Sequence, residues 1–358
     1  MANNNDKKVL NVPALRFPEF ADKWEKGYFK DVCKITTGNK NTQDKDENGL
    51  YPFYVRSQNI ERINSWTFDG EAILTAGDGV GVGKVFHYSI GKIGVHQRVY
   101  ILSNFKCDGK YLYQYFSSRF YNRVKRMSAK NSVDSVRMEM IADMPLYLPS
   151  VGEQHKIGKL LALLDERIST QNKIIEKLQS LIKGIAQNIV LRNKPNVRIS
   201  QCLECSSSTL QESDVLEYGA YPVYGANGVV GFLDNYNTSN EAIYIIKDGS
   251  GVGAVSYVAG KCSATGTLNI LQAKKGFSLR YLYYLLNIFN FEPYKTGMAI
   301  PHIYFKDYGK AQIFCPSYSE QLKYAKFLAT IDDKLLTEQN VLINLSLQKQ
   351  YLLRQMFI

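Results

Sequence analysis

The sequence predicts an α+β fold: two strand-rich mixed domains, each followed by a long helix, with the two helices paired as an antiparallel coiled coil. Three observations predict it. The chain repeats itself, an apolar heptad pattern closes each repeat, and short apolar segments bounded by Gly, Asn and Asp fill the remainder. A chain of 358 residues is long enough for two domains. The expected whole is a pseudo-two-fold tandem repeat.

The repeat is clearest in the segments that begin at Leu148 and at Cys315. Matched residues keep a constant offset of 167 (316 − 149). The domains repeat as well, at an offset of 170: Asp248–Gly253 answers Asp78–Gly83, and Tyr281-Leu282-Tyr283 answers Tyr111-Leu112-Tyr113. Elsewhere the domain sequences diverge. This is expected if the helices share one type of partner while the domains face different targets.

Both repeats end in an apolar seam with alternating steps of four and three residues, which is typical of a coiled coil. The first seam contains Ile157, Leu161, Leu164, Ile168, Ile175, Leu178, Ile182, Ile185 and Ile189. The second contains Tyr324, Leu328, Ile331, Leu335, Leu342, Leu345, Leu352 and Met356. Gln171 and Glu338 interrupt the two seams at the same repeat position (338 − 171 = 167), which would penalise slipped registers.

Helix starts and pattern breaks set the expected boundaries. Each helix is introduced by Pro-Ser, with the Ser as N-cap and Glu153 or Glu320 in capping-box position. The Arg-Asn-Lys-Pro-Asn segment at 192–196 breaks the first helical pattern. The expected division is a flexible N-terminus at 1–12, a first domain at 13–147, a first helix at 148–192, a second domain at 193–314 and a second helix at 315–358. Within the first domain we expect a helix near Tyr111–Arg126.

Composition limits the classes of protein that fit. The net charge of +11 favours a polyanionic partner, of which nucleic acid is the commonest. No apolar run reaches membrane-spanning length and the N-terminus does not resemble a secretory signal, so we expect a soluble cytoplasmic protein without a membrane partner. The six cysteines fit that compartment as free thiols, and the Cys202–Cys205 pair lacks a second pair at metal spacing, so no metal is expected.

The glycine-rich segments Asp78–Gly83 and Asp248–Gly253 resemble cofactor loops, but their context argues against that function. A cofactor or phosphate loop opens a helix, whereas the residues that follow here, Lys84–Tyr88 and Ala254–Val258, have strand character. We interpret both as turns between strands. No methyltransferase motif or catalytic triad is recognisable, so we expect a protein without catalytic activity or cofactor.

Taken together, the chain resembles the specificity subunit of type I DNA restriction-modification systems. The resemblance rests on the Leu-Arg-Phe-Pro-Glu-Phe opening at 15–20 followed by Trp24, and on two long helices that each follow Pro-Ser-x-x-Glu-Gln. It implies two target-recognition domains that each read half of a bipartite site on double-stranded DNA, with the helices setting the spacer. It also implies two modification (methyltransferase) subunits docked on the helices and, through the complex, restriction/translocase subunits. Methylation and ATP-driven cleavage would belong to those partners.

Candidate DNA-binding residues are polar side chains in loops near the glycine turns or before the last strand of each domain, because base edges and phosphates require such groups. In the first domain they are Arg56, Gln58, Asn59, His96, Gln97, Arg98, Lys130, Asn131 and Arg137. In the second they are Tyr224, Asn227, Thr265, Thr267, Lys295, His302, Tyr304 and Lys306.

Candidate subunit-docking residues occur twice, as the same polar pattern at the start of each helix. They are Glu153, Gln154, Lys156, Lys159, Glu320, Gln321, Lys323 and Lys326. Two other classes of function stay open on the sequence alone. One is a coiled-coil adaptor that displays two protein-binding domains, and the other is a self-contained methyltransferase or nuclease that uses the glycine loops.

Overall fold

The structure is a computed structural model and describes residues 12–79, 81–127 and 135–358. It forms two compact units, the first comprising the chain up to Thr170 together with Leu342–Ile358, and the second comprising Gln171–Val341. The expected mobile segment at 1–12 therefore lies almost entirely outside the described residues. Within the described ranges, no helix combines the length and the apolar character needed to cross a membrane.

The first unit is built around one mixed sheet. Its elements are β1 (Glu25–Tyr28), α1 (Phe29–Val32), β2 (Lys34–Thr37), β3 (Tyr51–Tyr54), β4 (Glu61–Ile63), β5 (Phe68–Ala76), β6 (Phe86–Val95), β7 (Val99–Ser103), α2 (Gly109–Met127), α3 (Met138–Ala142), β8 (Pro145–Leu148) and the first part of α4 (Val151–Leu191). Six strands form a sheet in the order β2-β7-β5-β6-β3-β4, with β3 parallel to β6. The predicted helix near Tyr111–Arg126 is confirmed as α2.

The second unit repeats this order of elements. It contains the rest of α4, then β9 (Val197–Arg198), α5 (Ile199–Cys202), β10 (Leu203–Ser207), β11 (Tyr221–Gly225), β12 (Gly228–Leu233), β13 (Ala242–Ile246), β14 (Val255–Val258), β15 (Ser263–Ala264), β16 (Leu268–Ala273), α6 (Leu279–Leu286), α7 (Phe305–Tyr308), β17 (Gln312–Ile313) and the first part of α8 (Tyr318–Gln355), whose last part belongs to the first unit. The counterpart of β6 is divided into β14 and β15, with Gly260 at φ +86° in the turn between them. Two sheets result, β10-β16-β13-β14 and β12-β11-β15.

The glycine-rich segments connect antiparallel strands, as the sequence predicted. The first lies between β5 and β6, and the second between β13 and β14. Gly79, Gly83, Gly249 and Gly253 adopt positive φ, which costs glycine little and other residues more. A strand, and not a helix, therefore follows each turn.

Equivalent tyrosines attach each domain to the root of a long helix. Tyr111 and Tyr281 are fully buried, and their hydroxyls donate to the carbonyls of Tyr147 at 2.6 Å and Phe314 at 2.9 Å. Those carbonyls lie in the segments that lead into α4 and α8. Short antiparallel pairs, β1 with β8 and β9 with β17, bring the two ends of each domain together at the same root.

The N-terminal segment docks on the first unit. Trp24 is 2% exposed and meets the Tyr111 ring edge-on at 6.2 Å. Both carboxylate oxygens of Glu153 accept 2.7 Å hydrogen bonds from Arg16. Glu153 therefore binds the N-terminal segment, whereas Glu320 makes the predicted capping contact, accepting from the Ser317 backbone amide at 3.2 Å.

Both seams are confirmed, since every predicted seam residue is buried or partly buried. In the first unit, the Asp165 carboxylate on α4 pairs with Lys349 on α8. Nearer the start of α4, Glu153 binds Arg16, and the amide of the adjacent Leu15 donates to the Gln355 carbonyl near the end of α8. Residues later in α4 thus lie beside residues earlier in α8, so the two helical segments are antiparallel. In the second unit, Gln171 donates to Glu338, including its carbonyl at 3.0 Å. Each polar interruption of the seam therefore meets a polar partner.

The repeated glutamine of the Pro-Ser-x-x-Glu-Gln motif is a buried clamp. Gln154 donates to the Pro149 carbonyl at 2.8 Å and accepts from the Asp108 amide at 3.0 Å. Gln321 repeats both bonds, with the Pro316 carbonyl at 2.9 Å and the Ser278 amide at 2.9 Å. Because Asp108 and Ser278 directly precede or cap α2 and α6, each clamp joins a domain helix to a long helix.

Replacing Gln321 by alanine should destabilise the second unit by about 3 kcal/mol, because it leaves two buried backbone groups without partners at about 1–3 kcal/mol each. The measurement is urea unfolding followed by hydrogen exchange at α6. Lys323→Ala, an exposed position on the same turn of α8, is the matched control and should change stability by less than about 0.5 kcal/mol. Equal stability of the two variants would contradict the clamp.

Candidate nucleic-acid interface

Parallel pairing brings the first group of candidate residues together. Strand β3 lies beside β6, with Tyr54 opposite Val95, so the loops that follow both strands leave the sheet at one edge. The His96 amide donates to the Tyr54 carbonyl at 3.0 Å and the Gln97 amide donates to the Lys40 carbonyl at 2.8 Å. Residues 55–59 and 96–98 therefore share one surface, although some forty positions separate them in the sequence.

Asp78, at the start of the glycine turn, holds two of the candidate arginines. Arg56 donates to one carboxylate oxygen at 2.9 Å and Arg98 donates to the other. Burial alone would raise the pKa of Asp78, but the bonds from Arg98 and Arg56 outweigh it and lower the pKa below its usual value. Both arginine side chains keep large exposed fractions, 41% for Arg56 and 60% for Arg98.

His96 is a buried, neutral part of this surface. It is 4% exposed, and its Nδ1 accepts from the Arg98 amide at 3.1 Å. The ring proton therefore lies on Nε2, which is 3.4 Å from the Thr42 hydroxyl. Burial, and next the positive charge of Arg56, lowers the pKa of His96. The ring lines an open cavity together with Thr42, Val55, Arg56, Ser57 and Gly79.

The second domain repeats the backbone of this surface with different side chains. Strands β11 and β15 are parallel, and the Thr265 amide donates to the Tyr224 carbonyl at 2.9 Å. The Gly266 amide donates to the Leu210 carbonyl at 2.8 Å, as Gln97 does to Lys40 in the first domain. The Thr265 and Thr267 hydroxyls lie 2.8 Å apart. Hydroxyls thus stand where the first domain has His96 and Arg98.

The second glycine turn also begins with a paired aspartate. Asp248 lies 2.6 Å from Nδ1 of His302, whose ring stacks on Tyr304 at 6.5 Å between centroids. Lys306 Nζ lies 5.3 Å from the Tyr304 ring centre. His302 and Ser135 occupy the same place in their domains, since each forms a bridge with the aspartate of its glycine turn. Of the predicted residues of this domain, His302 borders the turn, and Thr265 and Thr267 lie between β15 and β16.

The other predicted residues have varied surroundings. Gln58, Asn59, Gln97, Arg137 and Asn227 are exposed. Tyr224 packs edge-on against Tyr244 at 5.9 Å, and Lys295 pairs with Glu292 at 2.6 Å. Lys130 and Asn131 lie outside the described residues.

Sequence reasoning missed two kinds of residue at these surfaces. Asp78 and Asp248 were seen only as parts of a turn, although their recurrence at the same offset was a signal for a shared role. The loop between Thr296 and His302 was not selected because it lacks the polar side chains used as the criterion. In the structure, its apolar residues Met298 and Ile300 are highly exposed. Two backbone hydrogen bonds between Thr296 and His302, at 2.9 and 2.7 Å, close the base of this loop.

The predicted docking residues divide by exposure. Glu153, Gln154 and Gln321 are buried and already bonded within their own units, so their side chains are not open to a partner. The remaining five are exposed: Lys156, Lys159, Glu320, Lys323 and Lys326. Of these, Lys156 pairs with Glu19 and lies over the rings of Phe17 and Phe20. The prediction that these residues bind a partner subunit therefore applies only to the five exposed side chains.

Known proteins share both halves of this architecture. A family model described as the type I restriction modification DNA specificity domain matches residues 21–180 and 196–345. The crystal structure of the S subunit of a type I restriction-modification system from Mycoplasma genitalium has a TM-score of 0.74 at 18% identity, covering 97% of this chain and 99% of that one. At that identity, the likeness shows the fold alone.

The relatives found by sequence are matched over a smaller share of their length than that structure. The specificity subunit of the type I restriction enzyme EcoDI from Escherichia coli is 25% identical over 167 residues, which are 47% of this chain and 37% of that protein. A putative type I specificity subunit of M. genitalium is 22% identical over 281 residues, covering 72% of this chain and 73% of its own length. Because the family model matches both domains and the adjoining parts of both helices, the chain belongs to the type I restriction-modification DNA specificity family.

Proposed function

We propose that each domain binds one half of a bipartite site on double-stranded DNA, as the specificity subunit of a type I restriction-modification complex. The observation that carries this is the pair of reading surfaces, built on one repeated backbone but equipped with different side chains. Arg56 and Arg98 occupy the first surface, and Thr265, Thr267 and His302 lie at the second. Two domains with the same backbone scaffold but different polar side chains are suited to binding two different DNA sequences.

The chemistry of the surfaces supports direct contact with DNA. Arginine donates two hydrogen bonds to the major-groove edge of guanine, while hydroxyls and amides bond to several bases and to phosphates. Asp78 orients two guanidinium groups without neutralising both, so the cluster keeps one net positive charge. Methylation and cleavage are assigned to the modification and restriction/translocase partners, since the glycine turns lack the helix that a cofactor loop requires.

Exchange of the second domain tests the proposal. A complex in which residues 197–314 come from a relative with another target should methylate a site that differs in one half only. Sequencing of methylated DNA from cells that contain the modification subunit gives the result. A change in both halves, or in neither, would contradict independent reading, and absence of salt-dependent DNA affinity in the assembled complex would favour a protein-binding adaptor.

We further propose that the long helices bind the modification subunits. Each unit leaves large apolar side chains exposed on these helices. In the first unit they include Leu163, Ile343, Leu347 and Tyr351, and in the second Leu181, Leu322, Phe327 and Leu336. Exposed apolar side chains that recur along both long helices provide the kind of surface that a protein partner would cover.

Charge reversal at Lys323 and Lys326 should weaken one of two modification-subunit sites, because both side chains are exposed beside Leu322 and Phe327. We expect a loss of about tenfold or more in affinity for that site, and a shift of stoichiometry from two partners to one in analytical ultracentrifugation. Reversal of Lys261, which is exposed beside the Tyr221 and Tyr236 rings in the second domain, is the control. Unchanged stoichiometry and affinity would count against this surface.

A further inference from the structure

Helix α2 carries a basic cavity that the proposed DNA-reading surfaces do not use. The cavity lies in the first unit and has a volume of about 490 Å³. Its lining combines three arginines with polar and apolar side chains: Tyr115, Ser118, Arg119, Asn122, Arg123, Arg126, Met127, Met144, Pro145, Tyr147 and Ile358. None of the predicted DNA-binding or docking residues is among them.

The three arginines are held by neutral groups. Arg119 lies over the rings of Tyr115 and Phe357, at 5.1 and 5.7 Å from their centres, and its Nε is buried without a hydrogen-bond partner. Arg123 donates to the carbonyls of Met140 at 2.8 Å and Asp143 at 2.9 Å. Arg126 Nε likewise donates to a carbonyl, that of Asn122, at 3.2 Å.

Among the described residues, no Asp or Glu side chain lines the cavity; the acidic group closest to the lining in the covalent structure is the α-carboxylate of Ile358. The carboxylate of Asp143 acts on Arg123 from outside the lining, but it is bound to Lys30 Nζ at 2.8 Å. Burial, followed in part by the charge of Arg126, lowers the pKa of Arg123. Three like charges around one cavity repel each other, and an anion among them would relieve that repulsion.

The arginines belong to a part of α2 that the second domain lacks. Helix α2 has 19 residues, whereas its counterpart α6 has 8 and ends at Leu286. Arg119, Arg123 and Arg126 stand on the extra turns, at spacings of four and three that place them on one face. The cavity is therefore a feature of the first unit and does not follow from the repeated scaffold.

We propose that this cavity is a binding site for a phosphate group, held by Arg119, Arg123 and Arg126. Arginine forks match the oxygen geometry of phosphate, and charge-assisted hydrogen bonds are the stronger kind. The amide of Asn122 adds a neutral donor at the rim. The phosphate comes either from the backbone of bound DNA or from a free phosphate-bearing solute, and only the DNA source rests on the proposed function.

Inorganic phosphate is the probe for the site itself. Thermal unfolding of the full chain should shift upward with phosphate but not with chloride at equal ionic strength. The Arg119→Gln/Arg126→Gln variant should lose the shift, with an affinity for phosphate about tenfold lower. Arg126→Lys should retain part of it, which separates loss of charge from misfolding. Lys125→Gln, an exposed neighbour that does not line the cavity, is the matched control and should behave as the wild type.

Salt dependence of DNA binding by the assembled complex distinguishes the two sources. If the site holds a DNA phosphate, the double variant should lower the slope of log affinity against log salt concentration by about 0.9 for each phosphate that the complex no longer neutralises. A phosphate-specific thermal shift with an unchanged slope identifies a free solute as the ligand. The inference is overturned if phosphate stabilises wild type and double variant equally, or if neither the thermal shift nor the slope responds to the substitutions. If the complex failed to bind DNA, the proposed function would be wrong, but the thermal unfolding test of the phosphate site would still be valid.

Discussion

Complexes in which Arg56 and Arg98 are both replaced by alanine are expected to lose discrimination at the first half-site while still recognising the second. Both arginine side chains are exposed on a surface shared with His96, and Asp78 holds both in place. A bidentate arginine contact is worth about 1–3 kcal/mol of discrimination, so the double variant should lose about 100-fold or more in the preference for the correct first half-site. The measurement is anisotropy of labelled duplexes with single base changes, bound by the assembled complex.

Two matched variants separate base reading from loss of positive charge. Lys92→Ala also removes a positive charge, but Lys92 is opposite Asp69 at the other end of the β5–β6 hairpin, so discrimination should not change. Asp78→Asn keeps both arginines but removes the carboxylate that orients them, so discrimination should fall while nonspecific affinity rises. Equal losses at both half-sites in the double variant would contradict a surface dedicated to one half.

Removal of one heptad from both helices is expected to shorten the spacer of the DNA site without changing either half-site. The structure points to residues 166–172 and 337–343 as the segments to remove. The Gln171–Glu338 pair is then deleted as a whole, while the Asp165–Lys349 pair and the bond from Tyr284 to Asp332 are kept. Seven residues of helix span about 10 Å, which corresponds to up to about three base pairs at 3.4 Å each.

The apolar period decides whether such a variant folds. Deleting seven residues places Ile175 at the seam position left by Ile168, whereas deleting five residues from each helix would turn the seam by about 140°, away from its partner. The five-residue deletion is therefore the control and should give unstable protein. Sequencing of methylated DNA reports the spacer. An active heptad variant that still methylates the original spacer would show that helix length does not determine the gap.

Several features were accessible from the sequence because they depend on local periodicity or on comparing the chain with itself. The heptads predicted both seams, and their polar interruptions at Gln171 and Glu338 predicted the level at which these residues meet. The strand character of the residues after each glycine turn predicted that the turns connect strands. The repeat at constant offset predicted two domains with one scaffold, since duplicated segments fold alike.

What only the tertiary structure decided is which side chains are neighbours and which are buried. Polar residues in loops have no periodicity, so nothing local indicates that Arg56 and Arg98 meet on Asp78; that follows from the parallel pairing of β3 with β6. In the sequence, Gln154 and Gln321 cannot be told from the polar residues on the exposed face of a helix. Only the packing of a domain helix against a long helix buries them. The arginine cavity on α2 depends likewise on segments distant in sequence, because its walls come from β8 and the end of the chain as well as from the helix.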